Sequence, residues 1–199
     1  MILSLIGYSL LAPALAAPAG YSVNVASYEG CELSLGSTMS DGVVPIHADC
    51  YWPDVTIDKF RAVMGDPVKH ADVFTVIVKS EIRRPASTPD GKALVYQLQR
   101  SKGISDREVL LWMNHTVVGG ADRYGWTTAS GEALTPADGN VKVERSDGYW
   151  QAAADPRGGV QVSHQLEYAP GGSVPGFLVH WFQTSGVETN LTEVHSATK

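Results

Sequence analysis

Six histidines, 21 acidic residues and two cysteines are the groups in this 199-residue chain best suited to ligate a metal or move a proton. Their spacing organises little of that chemistry. His47, His70, His115, His164, His180 and His195 never fall into an H-E-x-x-H or related ligand pattern, so no metal site is expected. No G-x-S-x-G elbow, P-loop or dinucleotide fingerprint occurs, and the serines sit mainly in turn-like stretches. No catalytic residue is therefore assigned. Asp106-Arg107-Glu108 has acid and base side by side, but at a strand end such a run is expected to tie nearby carbonyls and carboxylates. His115 shares strand parity with Leu111 and Met113; it is either the one polar contact inside a cavity or a satisfied core histidine. His180, next to Trp181, could meet a ligand headgroup or lie on a helix flank.

The elements that would position these groups can be read from the periodicity. Cys31–Ser37 and Val43–Trp52 form the arms of a hairpin turning near Met39–Asp41, which sets Cys31 almost opposite Cys50. In an oxidising compartment that pair could close a disulfide worth about 3 kcal/mol; otherwise both are buried thiols. Ile57, Phe60 and Met64 have helical spacing, with Asp54 or Thr56 as cap and Gly65 and Pro67 as terminators. A strand is expected from Val73, with Phe74, Val76, Val78, Ser80 and Ile82 on one face. Lys92–Arg100, Glu108–Val118 and Arg123–Ser130 continue a meander, with a long loop at Gly131–Gly139. Ser146-Asp147-Gly148 reads as a hairpin turn between Val141–Arg145 and Tyr149–Ala154, and Asp155–Gly159 as another before Val160–Tyr168.

A closing helix is expected from Ser173 to about Val194. Ser173 is a good cap, Pro175 fits a first turn, and Val174, Phe177, Leu178, Trp181 and Phe182 make one apolar stripe. A sheet curled around one helix is the natural packing, in a single domain over 18–199. Whether the aromatic stripe closes a cavity or packs on a filled core stays open at this point.

With 44% hydrophobic residues and a net charge of −6, the chain can bury a real core, and no basic cluster suggests nucleic-acid binding or polybasic membrane docking. Residues 2–17 are uncharged and mostly apolar, too short to span a bilayer, and end in Ala14-Leu15-Ala16. They read as an export signal (1–17) for a periplasmic or secreted protein, or else as a first helix on the sheet.

The run Leu94-Val95-Tyr96-Gln97…Gly103-Ile104-Ser105-Asp106-Arg107-Glu108-Val109-Leu110-Leu111 resembles the START (StAR-related lipid transfer) domain family. Pro170-Gly171-Gly172-Ser173-Val174-Pro175…Val179-His180-Trp181-Phe182…Gly186-Val187 is similar to that family's strand-to-helix junction and closing helix. Ile46–Gly65 resembles its second strand and first internal helix, and together these cover most of 30–195. The resemblance implies an α+β helix-grip fold, a curved antiparallel sheet around a long C-terminal helix. It also implies an apolar tunnel for one lipid, no cofactor and no catalysis. Some sterol-binding members bury an acid–Arg pair where Gln97 and Met113 stand here, and Glu108 replaces the usual Asp. The cavity is then expected to be lined by Phe74, Val76, Val78, Tyr96, Gln97, Leu111, Met113, His115, Phe177, Leu178 and Trp181. The partner would be a lipid or other hydrophobic small molecule, with transient membrane contact by a monomer, and Gly176 and Gly186 as soft points for opening. The alternatives are a cyclase-, hydrolase- or dehydratase-like enzyme on the same scaffold, or an interaction module with a filled core.

Overall fold

A computed structural model describes residues 19–21, 26–28, 30–88, 91–174 and 185–199. The export-like segment 1–17, residues 175–184 with Gly176, Phe177, Leu178, His180 and Trp181, and Pro89-Asp90 lie outside them.

Short β-branched and aromatic runs bounded by turn residues build one sheet of ten strands. In chain order these are β1 (Ala26–Tyr28), β2 (Cys31–Leu35), β3 (Ile46–Trp52), β4 (Ile77–Arg84) and β5 (Ala93–Gln99), then β6 (Arg107–Val118), β7 (Ala121–Thr128), β8 (Val141–Lys142), β9 (Arg145–Ala154) and β10 (Val160–Ala169). The spatial order is β1-β2-β3-β10-β9-β7-β6-β5-β4, with β8 beside β6 as a parallel pair and every other pairing antiparallel. The step from β3 to β10 joins the first hairpin to the last strand. The sheet is curved, and its concave face carries the helices α1 (Ile57–Met64), α2 (His70–Val73) and α3 (Ser185–Thr198). This is the helix-grip fold. Among the described residues no helix is long and apolar enough to cross a membrane.

Local chemistry accounts for the helices. Thr56 caps α1 by accepting the Lys59 amide, and the Gly65 amide returns to the Arg61 carbonyl. Asp66 then caps a 3₁₀ turn with Pro67 at its start, and that turn runs directly into α2. Phe60 and Met64 from α1 meet Val187, Leu191 and Val194 from α3 in the main core with Trp52, Trp150 and Val162. Each of those three α3 side chains contributes about 1.5–3 kcal/mol by leaving water. Helix α3 runs to Thr198, beyond the expected end near Val194. Its flank is tied by His195 to Asp54 at 2.7 Å and by Glu193 to the Thr75 amide at 3.2 Å.

The β2–β3 register places Cys31 opposite Cys50, and a disulfide joins them. Two expectations are corrected. The strand expected from Val73 begins at Ile77, because the Asp66-Pro67 cap starts a helical run that ends only where the Phe74 amide meets the His70 carbonyl. Asp147-Gly148 is no hairpin turn; both residues lie within continuous β9. Asp147 Oδ1 instead accepts the Thr128 amide at 2.6 Å and its hydroxyl at 2.9 Å. Gly148 is required by close approach, since a Cβ there would collide with the Gln165 carbonyl and lie 2.7 Å from Trp126 Cζ2. The loop after β7 folds onto the convex face, where Glu108 accepts the Ala137 amide at 2.8 Å and Asn140 Nδ2 at 2.7 Å.

Candidate functional site

Alternation along the strands decides which side chains face the helices. On β5, Gln97 and Gln99 face inward; on β6, Leu111 and Met113 do; Trp126, Trp150 and Leu166 continue the wall on β7, β9 and β10. The opposite wall comes from Met64, His70, Phe74, Val76 and Ile77, with Gly186, Thr189 and Asn190 of α3. These walls line a half-open cavity of about 260 Å³, to which Arg100, Ser101, Lys102 and Glu193 also contribute. Arg100 is held there by Asp106, which takes Nη2 at 2.7 Å and Nε at 3.0 Å.

One end of the cavity carries a chain of polar side chains. Tyr168 donates its hydroxyl to Gln99 Oε1 at 2.8 Å, and Gln99 Nε2 reaches Gln97 Oε1 at 3.4 Å. Burial pushes the Tyr168 phenol above its ordinary range, while Arg107 pulls it back in part. Arg107, itself buried, donates Nη1 to the Ser105 carbonyl.

The middle of the sheet wall holds His164, which is 2% exposed. Its ring stacks on Trp150 at 4.0 Å between centroids, and Trp126 lies at 6.0 Å. Nδ1 lies 3.1 Å from the Tyr149 carbonyl oxygen. A carbonyl only accepts, so Nδ1 carries a proton. Burial lowers the pKa to about 3, against a smaller upward pull from the Tyr149 carbonyl and a further lowering by His47. His70 of α2 also lines the cavity, edge-on to Phe74 at 5.6 Å, and burial lowers its pKa to about 4 against the Met64 carbonyl. Both imidazoles are neutral near pH 7 and too weakly basic to abstract a proton readily. Among the described residues, no three His, Cys, Asp or Glu side chains gather as metal ligands.

Of the residues expected to line the cavity, Phe74, Val76, Gln97, Leu111 and Met113 do so. Val78 does not. Register shifts between Ile77 and Lys79, which leaves Ile77 and Ser80 buried and Val78 43% exposed. Tyr96 neighbours Gln97 and so points to the convex face, where it packs with Leu94, Leu110 and Ala129 beneath Lys79 and Arg83. Burial there pushes its hydroxyl up to about 12. His115 lies outside the cavity near the β6–β7 hairpin, stacked on Tyr124 at 4.6 Å and bonded to Asp122 at 2.8 Å. Phe177, Leu178 and Trp181 lie outside the described residues. The lining residues that the sequence reading missed include His70, Trp126, Trp150, His164, Leu166 and Tyr168. Val160, Val162, His164, Leu166 and Tyr168 alternate along one strand, and that parity alone points His164 inward. The convergence of three rings from β7, β9 and β10 appears only once the strand order is known.

No family model matches the sequence, and no curated protein sequence matches it. Solved structures share its fold. A STAR-related lipid transfer protein fragment (25–204) from Xanthomonas axonopodis superposes with a TM-score of 0.72 at 21% identity, over 89% of this chain and 97% of that one. Human STARD10 gives a TM-score of 0.78 at 14% identity, over 92% of this chain and 74% of its own. Human StAR-related lipid transfer protein 5 gives 0.74 at 14% identity, over 92% and 88%.

Proposed function

We propose that this chain is a carrier that holds one hydrophobic small molecule in the cavity between the sheet and its helices. The observation that carries the reading is that Leu111, Met113, Trp126, Trp150 and Leu166 surround about 260 Å³ of space and do not close upon one another. Cores normally pack without voids larger than a water, so an apolar space of this size on a stable scaffold serves a ligand. At about 30 Å³ per liquid water it equals about nine waters, which suits a compact or single-chain ligand of roughly ten to fifteen heavy atoms. Burying about 200–300 Å² of apolar ligand surface yields roughly 5–8 kcal/mol before the costs of ordering and closure.

The chemistry of the walls favours holding over reacting. Among the described residues no carboxylate hydrogen-bonds to His70 or His164, and the His164 ring is tied to the Tyr149 carbonyl. Entry and exit would require α3 to separate from Thr75 and Asp54, contacts that a membrane surface could loosen in passing. The likeness to lipid transfer proteins supports the same reading. The Cys31–Cys50 disulfide supports an oxidising compartment, periplasmic or secreted, in line with the export-like residues 2–17.

The test is a titration with an environment-sensitive apolar dye, using the wild type and Met113→Trp, which adds bulk to the cavity from a partly exposed position. Saturable one-to-one binding by the wild type and its loss in a folded Met113→Trp is the expected result. A wild type that binds no dye, or a variant that binds it equally well, refutes the reading.

A further inference from the structure

The sheet ends at β1 on one side and at β4 on the other, and among the described residues β4 pairs only with β5. The outer side of β4 therefore presents unpaired backbone groups, a template for a further strand. Proteins usually guard such an edge with bulges, charges or proline. Here the ladder to β5 shifts register between Ile77 and Lys79 and again between Ile82 and Arg84, so residues 79–82 form one regular run between two bulges. Pro85 lies beyond that run. Val78 and Ile82, at its two ends, are apolar and yet 43% and 42% exposed. Lys79 and Arg83 lie over Tyr96 on the convex face, and both reach Glu81 of their own strand, at 2.7 and 2.6 Å.

The order Val78-Lys79-Ser80-Glu81-Ile82 is complementary to itself when read in the antiparallel sense. A two-fold axis through Ser80, normal to the sheet, sets Val78 opposite Ile82 of the second copy and Lys79 opposite its Glu81. Each relation occurs twice. Side chains directly opposite one another in an antiparallel pair are the ones that meet, so the apolar ends cover each other and two ion pairs close across the seam. Glu81 keeps Arg83 when Lys79 turns to the second copy, so no charge is stranded. The neighbouring registers fail on the same rule. An axis at Glu81 sets Glu81 against Glu81 and Lys79 against Arg83, and an axis at Lys79 sets Lys79 against Lys79. Like charges directly opposite are unfavourable. The charges that guard an edge against a foreign strand thus select one register for a second copy.

We propose that this chain self-associates through β4, antiparallel and centred on Ser80, joining two ten-stranded sheets edge to edge in an isologous pair. A ladder of five residues buries less than the about 1,200–2,000 Å² of a standard interface, so the association is weak and reversible. It is independent of the carrier reading, although Val76 and Ile77 of the cavity wall directly precede the seam.

Sedimentation velocity on the full chain, from about 1 μM to about 1 mM, spans the affinities of such interfaces and should show a monomer–dimer equilibrium for the wild type. Lys79→Glu and Glu81→Lys each place like charges opposite one another twice across the seam. Each is expected to weaken self-association by about tenfold or more. An equimolar mixture of the two variants restores opposite charges at both places and should associate as the wild type does. The double variant Lys79→Glu/Glu81→Lys should self-associate likewise. As a second readout, amide exchange over residues 79–82 of the wild type should slow as its concentration rises. A wild type monomeric throughout the range, which would leave the edge to a strand of another protein, overturns the proposal. Single variants that self-associate like the wild type, or a mixture no tighter than its components, overturn it as well.

Discussion

Lowering the pH from about 7 to about 5 should destabilise this protein before any carboxylate titrates. His70 and His164 are held at about 4 and about 3, well below the ordinary histidine value of about 6.5. In that interval the unfolded chain binds two protons that the native state refuses. Stability is therefore complete above about pH 6.5 and falls as the pH drops toward the native values, by about 1.4 kcal/mol per pH unit for each histidine. The loss between about pH 7 and about pH 5 comes to roughly 3–4 kcal/mol for the pair. That figure depends chiefly on the unfolded value and little on how far below pH 5 the native ones lie. The carboxylates act in a separate window. Asp54, Asp106 and Asp155 are held below their usual range by His195, Arg100 and Arg157 respectively, so their contribution is lost only as the pH falls further. Urea unfolding at each pH, followed by tryptophan fluorescence, measures the effect as a shift in midpoint at constant slope. The double variant His70→Phe/His164→Phe should flatten the dependence. An unchanged midpoint across this interval, or a fall that persists in the double variant, refutes the assignment of these residues as buried neutral imidazoles.

Three further outcomes follow from particular contacts. Reducing the Cys31–Cys50 bridge, which spans 19 residues, should cost about 3 kcal/mol, read as the difference between urea midpoints with and without a thiol reductant. Asp122 is 7% exposed at its side chain and takes Arg61 Nε at 2.9 Å and His115 at 2.8 Å. Asp122→Asn should lose about 1.5–3 kcal/mol and speed hydrogen exchange across α1; unchanged exchange there would show that the pair does not anchor the helix. Gly148→Ala should cost more than about 2 kcal/mol through its collision with the Gln165 carbonyl. By contrast Gly131→Ala, with no atom within 4 Å of the new Cβ, should melt like the wild type.

The sequence carried the local features well and the long-range ones poorly. The cysteine register followed from one hairpin, the α1 cap from Thr56 and its spacing to Phe60 and Met64, and the inward face of β6 from simple alternation. A single bulge was enough to turn Val78 outward, and nothing in a β-type run announces a bulge. Asp147-Gly148 mimicked a turn because aspartate and glycine are turn residues for reasons that also suit a strand end and a crowded crossing: a short acceptor side chain and no Cβ. Tyr96 and Gln97 cannot both line the cavity, because neighbours on a strand face opposite ways. His70 falls between the Gly65 and Pro67 stop and the strand expected from Val73, a stretch assigned to no element, and the structure places it on α2. His164, Trp150 and Trp126 converge because β10 lies between β3 and β9, a pairing of distant segments that no local pattern encodes.

The most direct test of the account is native mass spectrometry of the purified protein, with organic extraction and identification of whatever it releases. The account predicts a one-to-one adduct of a compact hydrophobic molecule, absent from Met113→Trp. A protein mass without adduct, unchanged after incubation with alcohols, fatty acids, phospholipids and sterols, would contradict it.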